Sequence, residues 1–322
     1  MKICIAHNSK IPVTFYGGIE RVVWDLGAEL AGLGHKITYL VPKGSSCPFA
    51  HVIFLNPQKP LEQQIPDDAE FVHMHFQPDK EISLPHLITV HGNLAPSTTF
   101  FLNTSFVSQN HAARYGADAF VYNGLRWKEY GETALESKRN YVHFLGKAAW
   151  RVKNVKGAIQ IAHANKTHIK IMGGTRINLK MGFRFTTSKW AKFYGMVGGR
   201  KKFDLLRYSK ALIFPVRWNE PFGLAIIESL YFGCPVLGTK YGALPELVPA
   251  EVGFLSNKQE DLIARFKDIG SFDSQMCHEY AVDNFNAREM AKSYLELYSR
   301  ILNGEHINRR IPKYKESENK IV

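Results

Sequence analysis

Residues 2–41 read KICIAHNSKIPVTFYGGIERVVWDLGAELAGLGHKITYLV. The apolar run over 2–7 predicts a strand, and the turn-rich stretch over 8–16 contains Pro12. Gly17-Gly18 then opens a helix on which Ile19, Val22, Val23, Leu26, Leu30 and Leu33 recur at helical spacing, so one face is buried. Gly34 supplies a stop, and 37–41 is the next strand. Strand, helix, strand in this order is a βαβ unit, which implies a parallel sheet in an α/β protein.

The same pattern runs outward along the chain. Further short buried strands are predicted at 52–55, 71–75, 87–90, 104–107 and 119–122, enough for one open α/β domain over 1–135. The polar stretch 128–140 reads as a linker. A second α/β series follows over 136–285, with strands at 141–146, 169–172, 211–214 and 235–238 and helices near 155–164, 203–209, 224–232 and 259–266. A final helix at 287–302, with Met290, Tyr294, Leu297, Tyr298 and Ile301 on one face, opens a segment 286–322 that ends in a polar, loosely held tail.

The chain has 322 residues, 45% of them apolar, which suits two domains of ordinary size and excludes disordered and low-complexity classes. No apolar run approaches the length of a transmembrane helix, and the N-terminus lacks the features of a signal peptide. Cys4, Cys47, Cys234 and Cys277 lie far apart, so the expectation is a reducing cytoplasm without disulfides or structural zinc. The net charge of +12 is uneven: residues 1–140 hold 12 Lys+Arg against 13 Asp+Glu, whereas 141–210 hold 16 against Asp204 alone. Such a block either meets an anionic partner (a phosphate, a nucleotide, an acidic membrane surface) or is a solvated face. No nucleic-acid-binding motif accompanies it, so nucleic acid is not an expected partner.

The densest chemistry lies at Asn219-Glu220-Pro221-Phe222-Gly223-Leu224-Ala225-Ile226-Ile227-Glu228-Ser229. A strand ending near Phe214 leads through a short loop into a helix starting near Phe222, with Pro221 suited to the helix start. The amides of Phe222, Gly223 and Leu224 would then face an anion. At 100° per residue Glu220 and Glu228 stand roughly 80° apart, close enough to line one wall. Carboxylates accept hydrogen bonds from sugar or ribose hydroxyls, although a capping acid and a solvated helix acid would give the same two letters.

This stretch, followed by Gly233-Cys234-Pro235-Val236-Leu237, by Gly242-Ala243-Leu244-Pro245-Glu246-Leu247 and by Gly253-Phe254-Leu255, resembles the nucleotide-sugar site of glycosyltransferase family 4. Phe144-Leu145-Gly146-Lys147 leading to Lys153-Asn154-Val155 is similar to that family as well. So are Gly17-Gly18-Ile19-Glu20-Arg21-Val22-Val23 and Gly195-Met196-Val197-Gly198 with Lys201, Leu205 and Leu206. The resemblance implies the GT-B architecture: two Rossmann-like domains facing across a cleft, an acceptor-binding one first and a nucleotide-sugar-binding one second, with the last helix crossing back to the first. It also implies a retaining transfer from a nucleotide-diphosphate sugar, UDP favoured, to a hydroxyl of a glycan, a lipid-linked or a small acceptor.

Carried onto this chain, the resemblance makes Glu228 the ribose ligand and Glu220 the ligand of donor-sugar hydroxyls beside the reacting carbon. The amides of Phe222, Gly223 and Leu224 would hold the sugar and phosphates. Lys147, where the family has Arg, and Lys153 would neutralise the departing diphosphate, with Arg151 and Lys156 near enough to share that task. Gly17 and Gly18 would contact the donor phosphate and shape the acceptor pocket, and His91 would hydrogen-bond the donor sugar. Front-face attack with the leaving phosphate taking the proton fits, since no acid pair is placed for double displacement. No cofactor and no metal are expected: His73 and His75 form an H-x-H without an apparent third ligand, there is no Asp-x-Asp, and basic residues can replace a cation. The resemblance and the charge together lead to a cytoplasmic enzyme of polysaccharide biosynthesis, peripheral on the inner face of the membrane. Two other readings stay open: a catalytically degenerate GT-B subunit that binds or scaffolds, and a binder of anionic surfaces using 141–210. The sequence leaves the oligomeric state open.

Overall fold

The run Lys2–Ala6 (β1) becomes the centre of a parallel sheet because both its faces are covered, and Ile3, Cys4, Ile5 and Ala6 are all buried. In the computed structural model, which describes residues 1–13, 17–179, 181 and 183–315, β1 pairs on one side with Lys36–Val41 (β2). On its other side it pairs with Phe71–Met74 (β4). His51–Phe54 (β3) extends one edge, and His86–Val90 (β5) and Thr104–Phe106 (β6) extend the other, giving the order β3-β2-β1-β4-β5-β6. The helix Gly18–Gly32 (α1) connects β1 to β2 and buries Val22, Val23, Leu26 and Leu30, while Ile19 stays exposed. A short helix, Gln109–Arg114 (α2), is capped by Ser108, whose hydroxyl accepts from the His111 amide at 3.1 Å. Residues 119–122, expected as a seventh strand, make a single bridge from Phe120 to Phe106.

A second sheet repeats the plan. Tyr141–Leu145 (β7) is flanked by His168–Met172 (β8) and, on the other side, by Ser209–Phe214 (β12). Ala191–Phe193 (β11) lies beyond β8, and Val236–Gly238 (β13) and Gly253–Leu255 (β14) lie beyond β12, in the order β11-β8-β7-β12-β13-β14. Both sheets therefore have the strand order 3-2-1-4-5-6 of a dinucleotide-binding fold. Helices Val155–Ala164 (α3), Gly199–Arg207 (α4) and Leu224–Tyr231 (α5) make the crossovers β7→β8, β11→β12 and β12→β13. The β8→β11 connection instead carries a small antiparallel hairpin, Ile177–Asn178 (β9) with Arg184–Phe185 (β10). Leu244–Leu247 (α6), Gln259–Arg265 (α7) and Ser274–Asn284 (α8) complete this unit. The three-residue strands β11 and β14 and the helix α8, where only Cys277 and Ala281 are buried, have too weak a pattern to be read in advance.

The chain divides into two units, residues 1–13, 17–126 and 285–315 in the first and Trp127–Asn284 in the second. The stretch 128–140, expected as a linker, belongs to the second unit. Trp127 stacks on Tyr231 of α5 with ring centroids 4.6 Å apart, and the Tyr231 hydroxyl donates to the carbonyls of Trp127 and Gly131. The last helix, Ala287–Leu302 (α9), returns to the first unit with Met290, Tyr294, Tyr298 and Ile301 buried. The segment after it is not loose within the described residues. Asn308 is buried, accepts from the amides of Asp118 and Ala119, and donates to the carbonyls of Leu102 and Thr104. The amides of Lys313 and Lys315 bond to Tyr115 and Arg114.

The return is locked where Leu125 bridges Asn286: the Leu125 amide donates to the Phe285 carbonyl, and the Leu125 carbonyl accepts from the Ala287 amide. Gly124 permits that approach: a Cβ there would lie 2.2 Å from the Asn286 carbonyl oxygen, which is backbone and cannot turn aside. Gly124→Ala is expected to destabilise the chain by about 1–3 kcal/mol, the usual range for overpacking. Gly32→Ala, at the open end of α1, serves as the comparator and should leave the thermal midpoint unchanged or slightly raised. Equal midpoints for Gly124→Ala and the parent would contradict the packing argument.

Candidate active site

In a sheet of this order the crevice for a ligand opens at the carboxyl ends of the strands where the order reverses, between β7 and β12 in the second unit. The two loops leaving those strands carry Lys147, Lys153 and Glu220. Asn154 ties them together. It sits in the left-handed region (φ 52°), and its Oδ1 caps α3 by accepting the Gly157 amide at 3.0 Å. Its Nδ2 donates to the Pro215 carbonyl at 2.9 Å, and a second tie runs from the Arg217 amide to the Val152 carbonyl.

This arrangement brings Lys153 Nζ to 2.5 Å from Glu220 Oε2, with both side chains buried. Trp218 Nε1 donates to the same oxygen at 2.7 Å. The Lys153 ammonium also lies 4.6 Å from the centre of the Trp218 ring, and Trp218 meets Trp150 edge-to-face. Lys147 is exposed and lies over Trp150 at 5.0 Å, so the two lysines sit on the two members of one tryptophan pair. The Glu220 main chain is backed by the loop after β13. The Ala243 amide donates to the Glu220 carbonyl at 2.9 Å, and Gly242 (φ 64°) leaves no room for a Cβ against that backbone.

The helix after Glu220 begins at Leu224, not near Phe222, because Gly223 holds φ at 100°. Two readings from the sequence are corrected by this. Phe222 precedes the helix with its ring buried, so helix geometry leaves the amides of Leu224 and Ala225 at the N-terminus, with Gly223 just ahead. The 80° angle between Glu220 and Glu228 does not apply, since Glu220 lies outside the helix. Glu228 has its own buried partners: Lys202 of α4 forms a close ion pair with Oε1, and the Tyr130 hydroxyl donates to the same atom at 2.7 Å. Lys202 went unread, although it falls three and four residues before Leu205 and Leu206 on the buried face of α4. At the next residue of α5, Ser229 Oγ pairs with His143 Nε2 at 2.8 Å, and Ser209 Oγ meets the other ring nitrogen at 2.7 Å. Burial, then the Arg139 charge, pushes His143 down to about 3.

Gly17, Gly18 and His91 belong to the first unit, and the other seven candidates belong to the second. Gly17 precedes α1 and Gly18 is its first residue. His91 follows β5, and its Nε2 lies 2.8 Å from Nδ1 of His75, which follows β4. His73 spends both ring nitrogens inside the unit, on the Tyr298 hydroxyl at 2.7 Å and on Thr89 Oγ1 at 2.8 Å. The H-x-H pair is thus built into hydrogen bonds, and among the described residues no three His, Cys, Asp or Glu side chains converge on one point.

Residues 126–279 match the family described as glycosyl transferases group 1, just under half of the chain. A 41.2 kDa protein in the cps region of Klebsiella pneumoniae is 24% identical over 186 residues, covering 54% of this chain and 50% of its own length. The chain therefore spans about half the length of that curated relative. Among solved structures, AviGT4, a glycosyltransferase involved in avilamycin A biosynthesis, superposes with a TM-score of 0.76 at 21% identity, covering 94% of this chain and 98% of that one. Anabaena Alr3699/HepE in complex with UDP-glucose gives 0.66 at 16% identity, covering 93% and 99%. The fold is GT-B, and the family match together with the fold supports a glycosyltransferase.

Two outcomes follow from the site's geometry. Lys202→Met leaves Glu228 as a buried carboxylate short of its cation, and should cost about 3–5 kcal/mol in denaturant unfolding. A loss under about 1 kcal/mol, the level of an exposed pair, would remove that pair from the framework. The second outcome concerns pH. Burial lowers His73, His75, His111 and His143 below their unfolded value near 6.5, so in acid the unfolded chain binds protons that the folded chain does not. Their effect is nil above about pH 6.5. Below it, stability falls by about 1.4 kcal/mol per pH unit for each histidine until the folded value is reached. For His111 and His143 that value is about 3. The thermal midpoint should drop from pH 6.5 to 4, and His143→Gln should make that drop shallower. A midpoint flat over this window would contradict the assignment.

Proposed function

We propose that this chain transfers a sugar, with retention of anomeric configuration, from a nucleotide-diphosphate donor to a hydroxyl of a glycan or lipid-linked acceptor. The observation that carries the reading is the Lys153–Glu220–Trp218 cluster at the switch point of the second sheet, inside the segment that matches the group 1 family. Glu228, held by Lys202 and Tyr130, takes the ribose hydroxyls. The start of α5, with the main chain of Phe222, Gly223 and Leu224 leading into it, receives the phosphates. A diphosphate carries more charge than a carboxylate and competes for Lys153, which frees Glu220 to accept from the hydroxyls of the donor sugar. Lys147 and Lys153 then stabilise charge on the departing oxygen.

In the first unit, His91 hydrogen-bonds the donor sugar, and Gly17 and Gly18 contact the donor phosphate and shape the acceptor pocket. Burial holds His91 neutral, which suits it to hydrogen bonding and not to charge stabilisation. Front-face attack with the leaving phosphate as base needs no further acid from the protein. The lysines supply the positive charge, so the transfer is proposed to proceed without a metal. UDP is the favoured nucleotide, supported by the UDP-glucose complex of the Anabaena neighbour. A role in polysaccharide assembly in the cytoplasm is supported by the cps-region relative.

A thermal-shift comparison of UDP-, GDP- and ADP-sugars at equal concentration tests the donor, since a ligand bound to the folded state alone raises the midpoint with the logarithm of its affinity. The UDP-sugar should give the largest shift, retained with chelator present. Glu228→Ala should weaken donor binding about ten- to a hundredfold, the worth of hydrogen bonds to a charged group. Glu220→Ala should retain most of the donor shift and lose transfer. Unchanged turnover in Glu220→Ala would sink its assignment, and no shift with any nucleotide sugar would sink the donor.

A further inference from the structure

The Glu220 carboxylate takes two donors of different kinds on one oxygen. Lys153 Nζ lies 2.5 Å from Oε2 and Trp218 Nε1 lies 2.7 Å from it, while Oε1 accepts no hydrogen bond among the described residues. The two donors differ in how firmly they are held. An ammonium on a four-carbon stem can swing, whereas an indole turns about only two bonds and stays where its ring is packed.

Trp218 is packed in this way. Its ring meets Trp150 edge-to-face, with centroids 5.9 Å apart and planes at 83°. Trp150 belongs to the turn that carries Lys153, whose amide donates to the Trp150 carbonyl at 3.0 Å. The Arg217 amide, one residue before Trp218, donates to the Val152 carbonyl of that same turn. The indole is therefore fastened to both loops of the site, and neither fastening passes through the Lys153 ammonium.

That asymmetry matters when Lys153 moves. The Glu220 side chain is only 8% exposed, so water replaces a departing ammonium poorly, and a buried carboxylate stripped of its partner is costly. The indole N–H is then the donor that remains on Oε2. Being neutral, it orients the carboxylate without cancelling its charge, which leaves a strong acceptor for hydroxyl groups.

We infer that Trp218 is a positioning residue, whose Nε1–H holds the Glu220 carboxylate in place while Lys153 turns to the phosphates of a nucleoside diphosphate. This rests on the donor proposed above and adds what fixes Glu220 once its cation is drawn away. The test is calorimetric titration of the full chain with UDP, GDP and ADP. The tightest of them is then carried through a double-mutant cycle of Trp218→Phe and Glu220→Gln. Phe keeps an aromatic ring and loses the N–H, and Gln keeps the shape of Glu and loses its charge. Trp218→Phe should bind about tenfold more weakly than the parent, because drawing Lys153 away then strands a carboxylate with no donor on Oε2. Glu220→Gln alone should bind more tightly than the parent, since no anion of the chain then competes for Lys153. In the Glu220→Gln background, Trp218→Phe should change affinity by less than about twofold. A ring acting through packing alone would give the same loss in both backgrounds. Trp218→His, whose Nε2 takes the place of the indole nitrogen on a five-membered ring, should recover most of the lost affinity.

Equal affinity of Trp218→Phe and the parent, or a loss that persists with Gln at 220, would overturn the role of Trp218 and leave the donor reading standing. A parent chain that binds none of the three nucleotides would overturn both. If Trp218→Phe fails to fold, the indole N–H signals of the nitrogen-labelled parent answer instead. The Trp218 signal, identified by its displacement in Glu220→Gln, should stay shielded from solvent exchange at saturating nucleotide. Exchange that quickens on binding would show the N–H released with the ammonium, against the inference.

Discussion

The contact between Lys153 and Glu220 holds together two loops that lie 67 residues apart in the chain. Taking each charge out of water costs on the order of several kcal/mol, and mutual attraction offsets this only where geometry and further hydrogen bonds are good. Both conditions are met locally. Trp218 supplies a second donor to the carboxylate, its ring lies against the ammonium, and Asn154 and Arg217 fix the two backbones to each other. The sheet order explains why these loops meet at all, since only at the reversal between β7 and β12 do neighbouring strands send their connections to opposite faces. Glu228 repeats the solution further along, with Lys202 as cation and Tyr130 as second donor. Two buried carboxylates, each with one cation and one neutral donor, give the second unit a polar wall of fixed geometry.

Much of this was legible in the sequence where the signal is local. The βαβ period over 2–41, the bounds of α3 and α9, and the loop-to-helix punctuation at Pro221 and Gly223 are properties of a few adjacent residues. Partnerships across the chain were not legible. Lys202 and Tyr130 reach Glu228 from residues 26 and 98 positions away, and nothing in their immediate neighbours announces it. The error at Phe222 has a different origin. A helix start was inferred from Pro221, whereas the positive φ of Gly223 delays it by two residues and takes Glu220 off the helix altogether. The tail was misread because composition was its only signal: Asn308, a polar residue in a polar stretch, is buried by four main-chain hydrogen bonds.

The first unit sets a contrasting polar interior, built from neutral groups. His73 bridges Tyr298 of α9 and Thr89 of β5, Thr89 meets Ser105, and His75 separately meets His91 at the strand ends, its ring 4.1 Å from that of His73. Burial keeps these rings uncharged, and a neutral ring offers one donor and one acceptor, which is what a chain of single hydrogen bonds requires. In the H-x-H pair, His73 thus meets hydroxyls at both nitrogens and His75 meets another histidine through Nδ1.

The excess of positive charge has a structural cause that composition alone does not reveal. Several cations in and beside the 141–210 block are held by neutral partners. Arg139 donates to the carbonyls of Ser209, Phe232 and Gly233, Arg176 and Arg184 donate to hairpin carbonyls, and Lys170 lies over the Tyr141 ring. Carbonyl dipoles and ring faces fix a cation in place without cancelling its charge. Other cations of the block, Lys147, Lys156, Lys189 and Lys192 among them, are exposed, and Asp204 is the sole acid within it. Lys153 and Lys202 are the exceptions, and they are neutralised by Glu220 and Glu228, the two carboxylates of the polar wall. Arg207 is a third, meeting Asp204 at 3.2 Å, so the chain's own acids compensate at least three of the block's cations, and the two buried pairs among them are those of the polar wall.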